Sequence, residues 1–365
     1  MTKNNRKILD MLDAGECIIG DGGYTYALER RGYMTPGEWT PECVIEYPEA
    51  VSQCHTDYAL CGADILQAYV FNGTDDNLNF ARRKDGRPLL CAKEVNDAGC
   101  RLVTEVAKKH NKLIGLPVST TRSYAAGESK EKVQKEFQQQ IDIFKNWDGD
   151  LLMAEYVGCV EEAEWACEIM KKTNIPISIS MCIGPLGDFK DVSVEEVAVR
   201  LAKAGCDIIG VNCRFDPDTC IDTTVRMREA VEKAGMKCHY MVQPIAYRTA
   251  DADRIGFGGL PECPLALENR LITRWDAQKY ARKAYDNGIR YIGGCCGFEP
   301  YHIRALAEEL RNERGGRLPP NSRCVDASTL IHHENEHINK IRSSKDYWMN
   351  LVPRSGYKTL IEEAG

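Results

Sequence analysis

The chain reads PISISMCI over Pro176–Ile183, VEEVAVRLAKAG over Val194–Gly205 and DIIGVNC over Asp207–Cys213. The first and third runs are short and almost continuously apolar, which is typical of strands that are buried on both faces. The middle run has the length of a helix and ends in glycine, the residue that often follows the last turn of a helix. A helix between two buried strands predicts a parallel pair joined by a crossover.

The same alternation extends outward over most of the chain. Eight apolar runs are predicted as strands: Cys17–Gly20, Ile65–Phe71, Lys112–Ser119, Leu151–Val157, Pro176–Ile183, Asp207–Cys213, Lys237–Pro244 and Tyr291–Cys296. Helices are predicted at Lys130–Trp147, Val160–Thr173, Val194–Gly205, Thr223–Gly235, Ile272–Gly288 and Pro300–Gly315. Eight such units predict an α/β fold of the TIM-barrel type, a (β/α)8 barrel over residues 1–316. A doubly wound open sheet is the alternative.

The composition favours a globular protein that handles small molecules. The 365 residues carry a formal net charge of -7, and 43% of them are hydrophobic. This mild acidity argues against nucleic acids and anionic membranes as partners, because both attract a basic stripe. No run approaches the roughly 20 apolar residues of a membrane span. The first residues lack the apolar segment of a signal peptide, so we expect a cytoplasmic protein whose 17 cysteines are thiols.

The barrel pattern ends at the run RLPP, residues 317–320. The remainder contains Tyr347, Trp348 and Tyr357 but shows no strand pattern. A segment of this size is too short to form a hydrophobic core of its own. We therefore expect residues 317–365 to be a C-terminal extension that packs on the barrel or reaches across to another subunit.

Three cysteines stand at the carboxyl ends of predicted strands. Cys213 ends the sixth strand, and Cys295 and Cys296 end the eighth, in YIGGCCG. Active sites of α/β barrels lie at this end of the strands. Three thiolates suit a tetrahedral Zn2+ with one open position, and zinc deprotonates a substrate thiol that binds there. The alternative is three unrelated buried cysteines, whereas a disulfide between adjacent cysteines is strained and disfavoured.

Other motifs accompany the cysteines. They are GDGG (Gly20–Gly23), WTPE (Trp39–Glu42), AEY (Ala154–Tyr156), MCIGP (Met181–Pro185), GVNCRFDP (Gly210–Pro217) and YIGGCCGFEPYHI (Tyr291–Ile303). With them, the chain resembles the homocysteine S-methyltransferases, and most closely their betaine-using branch, from about residue 8 to residue 357. The resemblance implies a (β/α)8 barrel with zinc on Cys213, Cys295 and Cys296, where the homocysteine sulfur takes the fourth position.

The resemblance also assigns residues to the amino acid part of homocysteine. Asp21 and Glu155 match the acids that hold its amino group, and the backbone N–H groups of Gly22 and Gly23 match those placed to bind its carboxylate. The chemistry agrees, because two carboxylates pair with one ammonium and glycine lets backbone donors approach an anion closely. Without the resemblance, an ordinary turn residue at Asp21 and a structural ion pair at Glu155 are the alternatives.

Five residues are expected at the methyl donor. A quaternary ammonium or sulfonium group offers no hydrogen bonds, so aromatic faces bind it by cation–π attraction of about 0.5–2 kcal/mol per ring. Trp39 and Tyr156 match donor-site aromatics of the betaine enzymes, and the Trp39 indole N–H can reach a donor carboxylate. Phe71 and Tyr24 are further candidates for the aromatic wall of the donor site. Asn72 departs from the resemblance, because the betaine enzymes carry a tyrosine there whose hydroxyl helps to hold the betaine carboxylate.

The predicted reaction is direct, in-line transfer of a methyl group from an onium donor to homocysteine, which gives methionine. Betaine is the first choice of donor, and the departure at Asn72 leaves sulfonium donors such as S-methylmethionine and dimethylsulfoniopropionate open. A non-catalytic zinc-binding barrel is the alternative function. A zinc hydrolase is disfavoured, because such sites usually use histidine and carboxylate ligands. The extension resembles the arm that crosses between subunits in the family, which predicts a homodimer or homotetramer.

Two further signals are set apart from the site. The run IHHENEH contains His333 and His337 at a helical spacing that can chelate a metal. No strand end supports these histidines or the adjacent His332, so the run is expected to be a solvated tail. Tyr247, just after the seventh strand, is a candidate for the mouth of the site.

Overall fold

The computed structural model describes residues 8–252, 255–320, 341 and 344–350. The strands are β1 (Ile18–Ile19), β2 (Ile65–Gln67), β3 (Leu113–Val118), β4 (Leu151–Val157), β5 (Ile177–Met181), β6 (Ile208–Asn212), β7 (His239–Gln243) and β8 (Tyr291–Ile292). The helices are α1 (Ile8–Asp13), α2 (Tyr24–Arg30), α3 (Cys43–Glu46), α4 (Pro48–Cys61), α5 (Asp75–Asn79), α6 (Arg82–Asp85), α7 (Ala92–His110), α8 (Arg122–Ala125), α9 (Lys130–Phe144), α10 (Val160–Met170), α11 (Val194–Ala204), α12 (Pro217–Lys233), α13 (Arg274–Asp286), α14 (Pro300–Glu309) and α15 (Lys345–Asn350).

The strands pair in parallel, and their order around the sheet follows the chain. The order is β1-β8-β7-β6-β5-β4-β3-β2, with Ile18 opposite Tyr291 where β1 meets β8. Asp64 bridges the remaining gap, between β1 and β2. Its N–H donates to the carbonyl oxygen of Ile19 (2.7 Å), and its carboxylate accepts the N–H of Ile19 (2.9 Å). A doubly wound sheet carries its first strand in the middle, so this order confirms the barrel.

Several boundaries differ from the sequence prediction; for example, β2 ends at Gln67 rather than Phe71, and α14 ends at Glu309 rather than Gly315. Helix α12 begins at Pro217 rather than Thr223, because Asp216 caps it by accepting the N–H of Thr219 (2.9 Å) and proline is favoured in the first turn. Strand β8 ends at Ile292, so both cysteines of the eighth unit lie just beyond it. Neighbouring backbone still holds them, since the N–H of Cys295 donates to the carbonyl oxygen of Pro244 (2.8 Å).

Apolar side chains fill the amino end of the barrel. Residues of α1 and of the strands form one buried cluster there, which includes Ile8, Leu12, Ile18, Ile65, Leu151, Met153, Ile208, Met241 and Tyr291. A larger cluster packs the outer helices against the strands. Since the amino end is closed by side chains, open space for a ligand is left at the carboxyl end, as is usual for barrels of this type.

Only part of the C-terminal extension is described, namely residues 317–320, 341 and 344–350. Lys345, at the start of α15, forms an ion pair with Glu309 at the end of α14 (2.6 Å). The histidines at positions 332, 333 and 337 and Tyr357 lie outside the described residues. Among the helices that are described, none has the length and apolar character needed to cross a membrane.

Candidate active site

The carboxyl ends of the strands surround a cavity that collects all twelve residues predicted for the site. These are Asp21, Gly22, Gly23, Tyr24, Trp39, Phe71, Asn72, Glu155, Tyr156, Cys213, Cys295 and Cys296. Ten further residues complete the lining: Thr25, Tyr26, Gln67, Ala68, Tyr69, Thr120, Asn212, Gln243, Phe257 and Gly294. The lining therefore contains two carboxylates and three thiols but no lysine, arginine or histidine, which gives the cavity a negative character.

The three predicted cysteines come together at one side of this cavity. Their sulfur atoms lie within 4.8 Å of one another. The Cys213 and Cys296 sulfurs are 3.7 Å apart, and those of Cys295 and Cys296 are 3.9 Å apart. The structure thus rules out three unrelated buried cysteines and leaves a cluster with the donor set of a metal site.

The backbone holds Cys213 in an unusual conformation. Cys213 and Arg214 both have φ +58, a left-handed region that non-glycine residues rarely adopt. The N–H of Cys213 donates to the carbonyl oxygen of Gln243 (2.8 Å), and the carbonyl oxygen of Arg214 accepts the N–H of Phe257 (2.7 Å). Such a conformation persists only where the surroundings fix it, and it is common at functional sites.

The thiols influence one another electrostatically. Contact with the Cys295 and Cys296 thiols holds the pKa of Cys213 well below its usual value. The same contacts with Cys213 raise the pKa values of Cys295 and Cys296. One sulfur of the cluster is therefore ionised readily, and the thiolate is the form of cysteine that binds a metal ion.

Asp21 and Glu155 are joined through Gln67 at the end of β2. The N–H of Gln67 donates to Oδ2 of Asp21 (2.7 Å), and its side-chain amide donates to Oε1 of Glu155. Burial raises the pKa of Asp21 to about 7 and that of Glu155 to about 8. Neither acid has a cationic partner among the lining residues, so a bound ammonium would restore and stabilise their charged forms.

The glycines after Asp21 allow the chain to pass very close to the loop that follows β8. A Cβ atom on Gly22 would lie 2.4 Å from the carbonyl oxygen of Phe298, and one on Gly23 would lie 2.5 Å from that of Cys295. The N–H of Gly23 donates to the Phe298 carbonyl oxygen (3.0 Å). The Gly23 N–H is therefore engaged within the chain, so we retain Gly22 as the donor for a substrate carboxylate, and the role of both glycines stays a prediction.

Trp39 and Asn72 lie side by side at the predicted donor end of the cavity. Both are left-handed, with φ +52 and +57, and the Asn72 side-chain amide donates to the carbonyl oxygen of Trp39 (3.3 Å). The indole N–H of Trp39 donates to Oε2 of Glu29 (3.2 Å). Glu29 is a partner that the sequence analysis missed. The Trp39 N–H, which was expected to reach a donor carboxylate, and the Asn72 amide are thus both engaged within the chain.

Phe71 and Tyr156 form an aromatic corner beside the cysteines. Their rings meet edge to face, with centroids 5.9 Å apart and an interplanar angle of 88°. Tyr156 is also left-handed, with φ +59, and its N–H is held by Oδ1 of Asn212 (3.0 Å). Tyr24 also lines the cavity, and its hydroxyl donates to Oδ2 of Asp21 (2.7 Å).

Sequence reasoning overlooked three polar residues that end apolar strands. Gln67, Asn212 and Gln243 are the last residues of β2, β6 and β7, and all three line the cavity. A polar side chain at the final position of a buried strand was the signal that could have revealed them. Tyr247 differs from its expected place at the mouth, since it is fully buried and its hydroxyl accepts a hydrogen bond from Arg30 (2.6 Å).

Known proteins that are similar to this chain are homocysteine S-methyltransferases. A family profile described as homocysteine S-methyltransferase matches residues 18–310. Betaine–homocysteine S-methyltransferase 1 of Danio rerio is 49% identical over 355 residues, which cover 97% of this chain and 88% of the relative. S-methylmethionine–homocysteine S-methyltransferase of Pongo abelii is 45% identical over 353 residues, or 96% of this chain and 94% of the relative.

A solved structure supports the fold. The metallated form of the homocysteine methyltransferase MmuM from Escherichia coli aligns with a TM-score of 0.60 at 18% identity, covering 82% of this chain and 98% of the other. The profile spans most of the barrel, and the two sequence relatives align along nearly the whole chain. The chain therefore belongs to the homocysteine S-methyltransferase family.

Proposed function

We propose that this protein transfers a methyl group from an onium donor to the sulfur of homocysteine, with Zn2+ held by Cys213, Cys295 and Cys296. The observation that carries the proposal is the convergence of three cysteine sulfurs and two carboxylates on one cavity. Homocysteine has one thiol and one ammonium group. The lining of the cavity offers a complement to each.

The cysteine cluster fits a zinc ion. Four ligands at the corners of a tetrahedron, with Zn–S bonds of about 2.3 Å, place neighbouring sulfurs about 3.8 Å apart. Two of the sulfur separations are 3.7 and 3.9 Å. Three protein ligands leave one position for a substrate, which is the pattern of catalytic rather than structural sites. When bound, zinc lowers the pKa of a coordinated substrate thiol and so supplies a nucleophilic sulfur at neutral pH.

Asp21 and Glu155 bind and orient the amino group of homocysteine in this proposal. Gln67 donates to both carboxylates, which fixes them relative to each other before the substrate enters. Gly22 supplies a backbone donor for the substrate carboxylate, at a point where only glycine permits so close an approach. Charge-assisted contacts to both charged groups on the α-carbon set the direction in which the sulfur at the other end points.

The donor occupies the aromatic corner formed by Phe71 and Tyr156, with Trp39 beside it. Aromatic faces and a negatively lined cavity favour a cationic methyl group. Betaine remains our first choice of donor, since several relatives are named betaine–homocysteine S-methyltransferases. Its carboxylate has to displace a hydrogen bond within the chain, because the Trp39 N–H and the Asn72 amide both have acceptors. S-methylmethionine and dimethylsulfoniopropionate also carry a carboxylate and meet the same requirement, so both kinds of donor stay in the proposal.

The reaction is a single in-line displacement. The methyl carbon forms a bond to the homocysteine sulfur while its bond to the onium nitrogen or sulfur breaks, and the leaving amine or thioether departs as a neutral molecule. The chain contributes by positioning both substrates and by excluding water, which is sufficient when the reacting groups are held close and aligned. No side chain is needed as a general base.

The decisive experiment is a donor panel. Zinc-loaded protein is incubated with homocysteine and, in separate reactions, with glycine betaine, S-methylmethionine, dimethylsulfoniopropionate or dimethylthetin, and methionine is quantified. We expect methionine from at least one donor in an amount equal to the demethylated donor. One zinc ion per chain together with no methionine from any donor would instead support a non-catalytic zinc-binding barrel.

We further propose that residues 317–365 mediate assembly into a homodimer or homotetramer in the cytoplasm. The contact between α15 and α14 through Lys345 and Glu309 supports an extension that follows the barrel surface. The described cysteines are free thiols, as expected in a reducing compartment. Deletion from Ser322 onward should reduce the sedimentation coefficient to that of a monomer. An unchanged assembly state would contradict the role of the extension.

A further inference from the structure

A row of three buried polar side chains begins at Asp21 and leads away from the cavity. The hydroxyl of Tyr24 lies 2.7 Å from Oδ2 of Asp21, and Nδ1 of His55 lies 2.8 Å from the same hydroxyl. The three residues are 2%, 7% and 0% exposed, respectively. His55 comes from α4 and belongs to none of the sequence motifs. Burying three polar groups in series is unfavourable unless each one is satisfied, so the arrangement calls for a reason.

The direction of the hydrogen bonds follows from the chemistry of the carboxylate. An ionised Asp21 can only accept, so the Tyr24 hydroxyl donates to it and its oxygen is left to accept from His55. His55 then carries its proton on Nδ1. Its Nε2 atom is buried and has no hydrogen-bond partner among the described residues. Burial also lowers the pKa of His55 to about 3, so the ring stays neutral.

The hydrogen bonds that the Asp21 carboxylate accepts from Tyr24 and Gln67 end on the same oxygen. Oδ2 accepts from the Tyr24 hydroxyl and from the N–H of Gln67, each at 2.7 Å. The carboxylate is thereby fixed by one of its oxygens, which leaves Oδ1 for a ligand in the cavity. Fixing a carboxylate in advance removes the cost of ordering it when the ligand binds.

We propose that Tyr24 and His55 are positioning residues for homocysteine, acting through Asp21. The row His55–Tyr24–Asp21 holds the carboxylate so that Oδ1 meets the substrate ammonium. The proposal rests on the proposed function, because it takes homocysteine as the ligand of Asp21. It also moves Tyr24 from the donor site, where the sequence analysis placed it, to the homocysteine site.

The packing around Tyr24 makes its hydroxyl separable from its ring. The ring contacts His55, Tyr58 and Tyr69, with centroids 4.8, 5.1 and 5.6 Å away. Tyr24→Phe keeps these contacts and removes only the hydrogen bonds. Tyr124→Phe is a matched control, because the Tyr124 hydroxyl also donates to a carboxylate, that of Glu161 (3.0 Å), and neither residue lines the cavity.

The first test separates the two substrates. We expect Tyr24→Phe to raise the Kd of zinc-loaded protein for homocysteine about tenfold in calorimetry without a donor. The KM for homocysteine should rise by a similar factor, while kcat at saturation and the KM for the donor stay within twofold. Tyr124→Phe should leave all four values unchanged. A rise in the donor KM alone, or an unchanged Kd for homocysteine, would overturn the proposal.

His55 offers a rescue experiment. His55→Gln keeps an N–H that can donate to Tyr24, whereas His55→Leu removes the donor and retains an apolar side chain of similar bulk. We expect the glutamine variant to bind homocysteine nearly as well as the wild type, and the leucine variant to resemble Tyr24→Phe. Equal loss in both variants would show that His55 acts only through packing.

The second test does not depend on catalysis. Long-range 1H–15N spectra of histidine-labelled protein report which ring nitrogen carries the proton. At pH 8, where Asp21 is ionised, the wild type should show one neutral ring that is protonated on Nδ1, and this signal should be missing in His55→Gln. A proton on Nε2 would refute the row of hydrogen bonds even in an active enzyme. The expected tautomer in a protein that forms no methionine would refute the proposed function instead.

Discussion

The two ends of the barrel differ in the conformation of the backbone and in how side chains support it. At the amino end, Asp64, Asp150 and Asp207 each precede a strand and accept an N–H group from the strand before it, at 2.8–2.9 Å. At the carboxyl end, five non-glycine residues have φ values between +52 and +59, namely Trp39, Asn72, Tyr156, Cys213 and Arg214. At the amino end, Asn111, just before β3, is the one described non-glycine residue of this kind (φ +53). Each such residue costs roughly 1 kcal/mol or more. The comparison suggests that the amino end supplies stability, while the carboxyl end gives some of it up for function.

The largest expected effect is at the carboxyl end. Cys213→Ala removes one of three metal ligands, so we expect the zinc content to fall and methionine formation to drop by more than a hundredfold. The barrel should remain folded, because the core of the amino end is untouched. Zinc is measured by elemental analysis, methionine by mass spectrometry and folding by circular dichroism.

Cys100→Ala is the control for this change. Cys100 is also fully buried but lies on α7, away from the cavity lining. Its replacement should lower stability moderately through the small cavity that it leaves, with zinc content and activity retained. Full activity in a zinc-free Cys213→Ala protein would contradict the metal hypothesis. It would also contradict the idea that the strained carboxyl end serves catalysis.

The next effect is at the amino end. Asp64→Ala removes the carboxylate that pairs with Arg314 (2.8 Å), whose side chain is 3% exposed, and that accepts the Ile19 N–H. Leaving this arginine buried and unpaired should lower the free energy of unfolding by about 3–5 kcal/mol. Specific activity should be unchanged at temperatures where the variant is folded.

An exposed ion pair provides the reference for Asp64. Glu105 pairs with Arg101 on the surface of α7 (3.4 Å), with both side chains more than half exposed. Glu105→Gln should change the free energy of unfolding by less than about 0.5 kcal/mol. Urea titration of both variants gives the two values. Similar values for the two would show that the aspartates of the amino end do not carry the stability assigned to them.

Much of the regular structure was predictable from the sequence for a physical reason, although the helices α4 and α7 were not among those predicted. Strands buried on both faces are continuously apolar, and helices follow them at short distances, so the barrel and the meeting of Cys213 with Cys295 and Cys296 follow from local patterns. The early start of α12 was missed, although Asp216 and Pro217 carry an ordinary capping signal. The start of α12 at Pro217 was therefore predictable from the sequence alone.

The remaining features depend on contacts between distant segments. The hydrogen bond from Trp39 to Glu29 and that between Tyr24 and His55 arise only when α2 and α4 pack beside the barrel mouth. No periodicity in the sequence encodes which donor meets which acceptor there. The use of the Gly23 N–H by Phe298 is hidden for the same reason, since the two residues are 275 positions apart.

The titration of Asp21 makes the stability cost at the carboxyl end depend on pH. Burial raises the pKa of Asp21 from its ordinary 3.8 to about 7. Between these values the folded chain holds a proton that the unfolded chain has released, so Asp21 lowers stability progressively as the pH rises from about 4 to about 7. Asp21→Asn removes this penalty. We expect a gain in the free energy of unfolding of about 4 kcal/mol at pH 8 and almost none at pH 4.

Glu162 separates stability from binding in this experiment. Burial raises its pKa to about 7 as well, but it accepts hydrogen bonds from Thr121 and does not line the cavity. Glu162→Gln should show the same pH-dependent gain in urea unfolding without any change in the affinity for homocysteine. Asp21→Asn should lower that affinity at least tenfold. A destabilised Asp21→Asn protein at pH 8 would contradict the idea that the carboxyl end trades stability for binding.

The smallest expected effect concerns the choice of donor. Asn72→Tyr places a hydroxyl and a ring where an amide now donates to Trp39, so we expect kcat/KM for betaine to rise severalfold relative to that for sulfonium donors. Tyrosine in a left-handed conformation also costs stability, by about 1 kcal/mol. Asn111→Tyr carries the same cost, since Asn111 has φ +53, but it follows α7 far from the cavity and should leave the donor ratio unchanged. A change in the betaine-to-sulfonium ratio of kcat/KM in Asn72→Tyr alone would show that residue 72 helps to select the donor. The same ratio in both variants would show that the left-handed conformation of Asn72 has no role in donor selection.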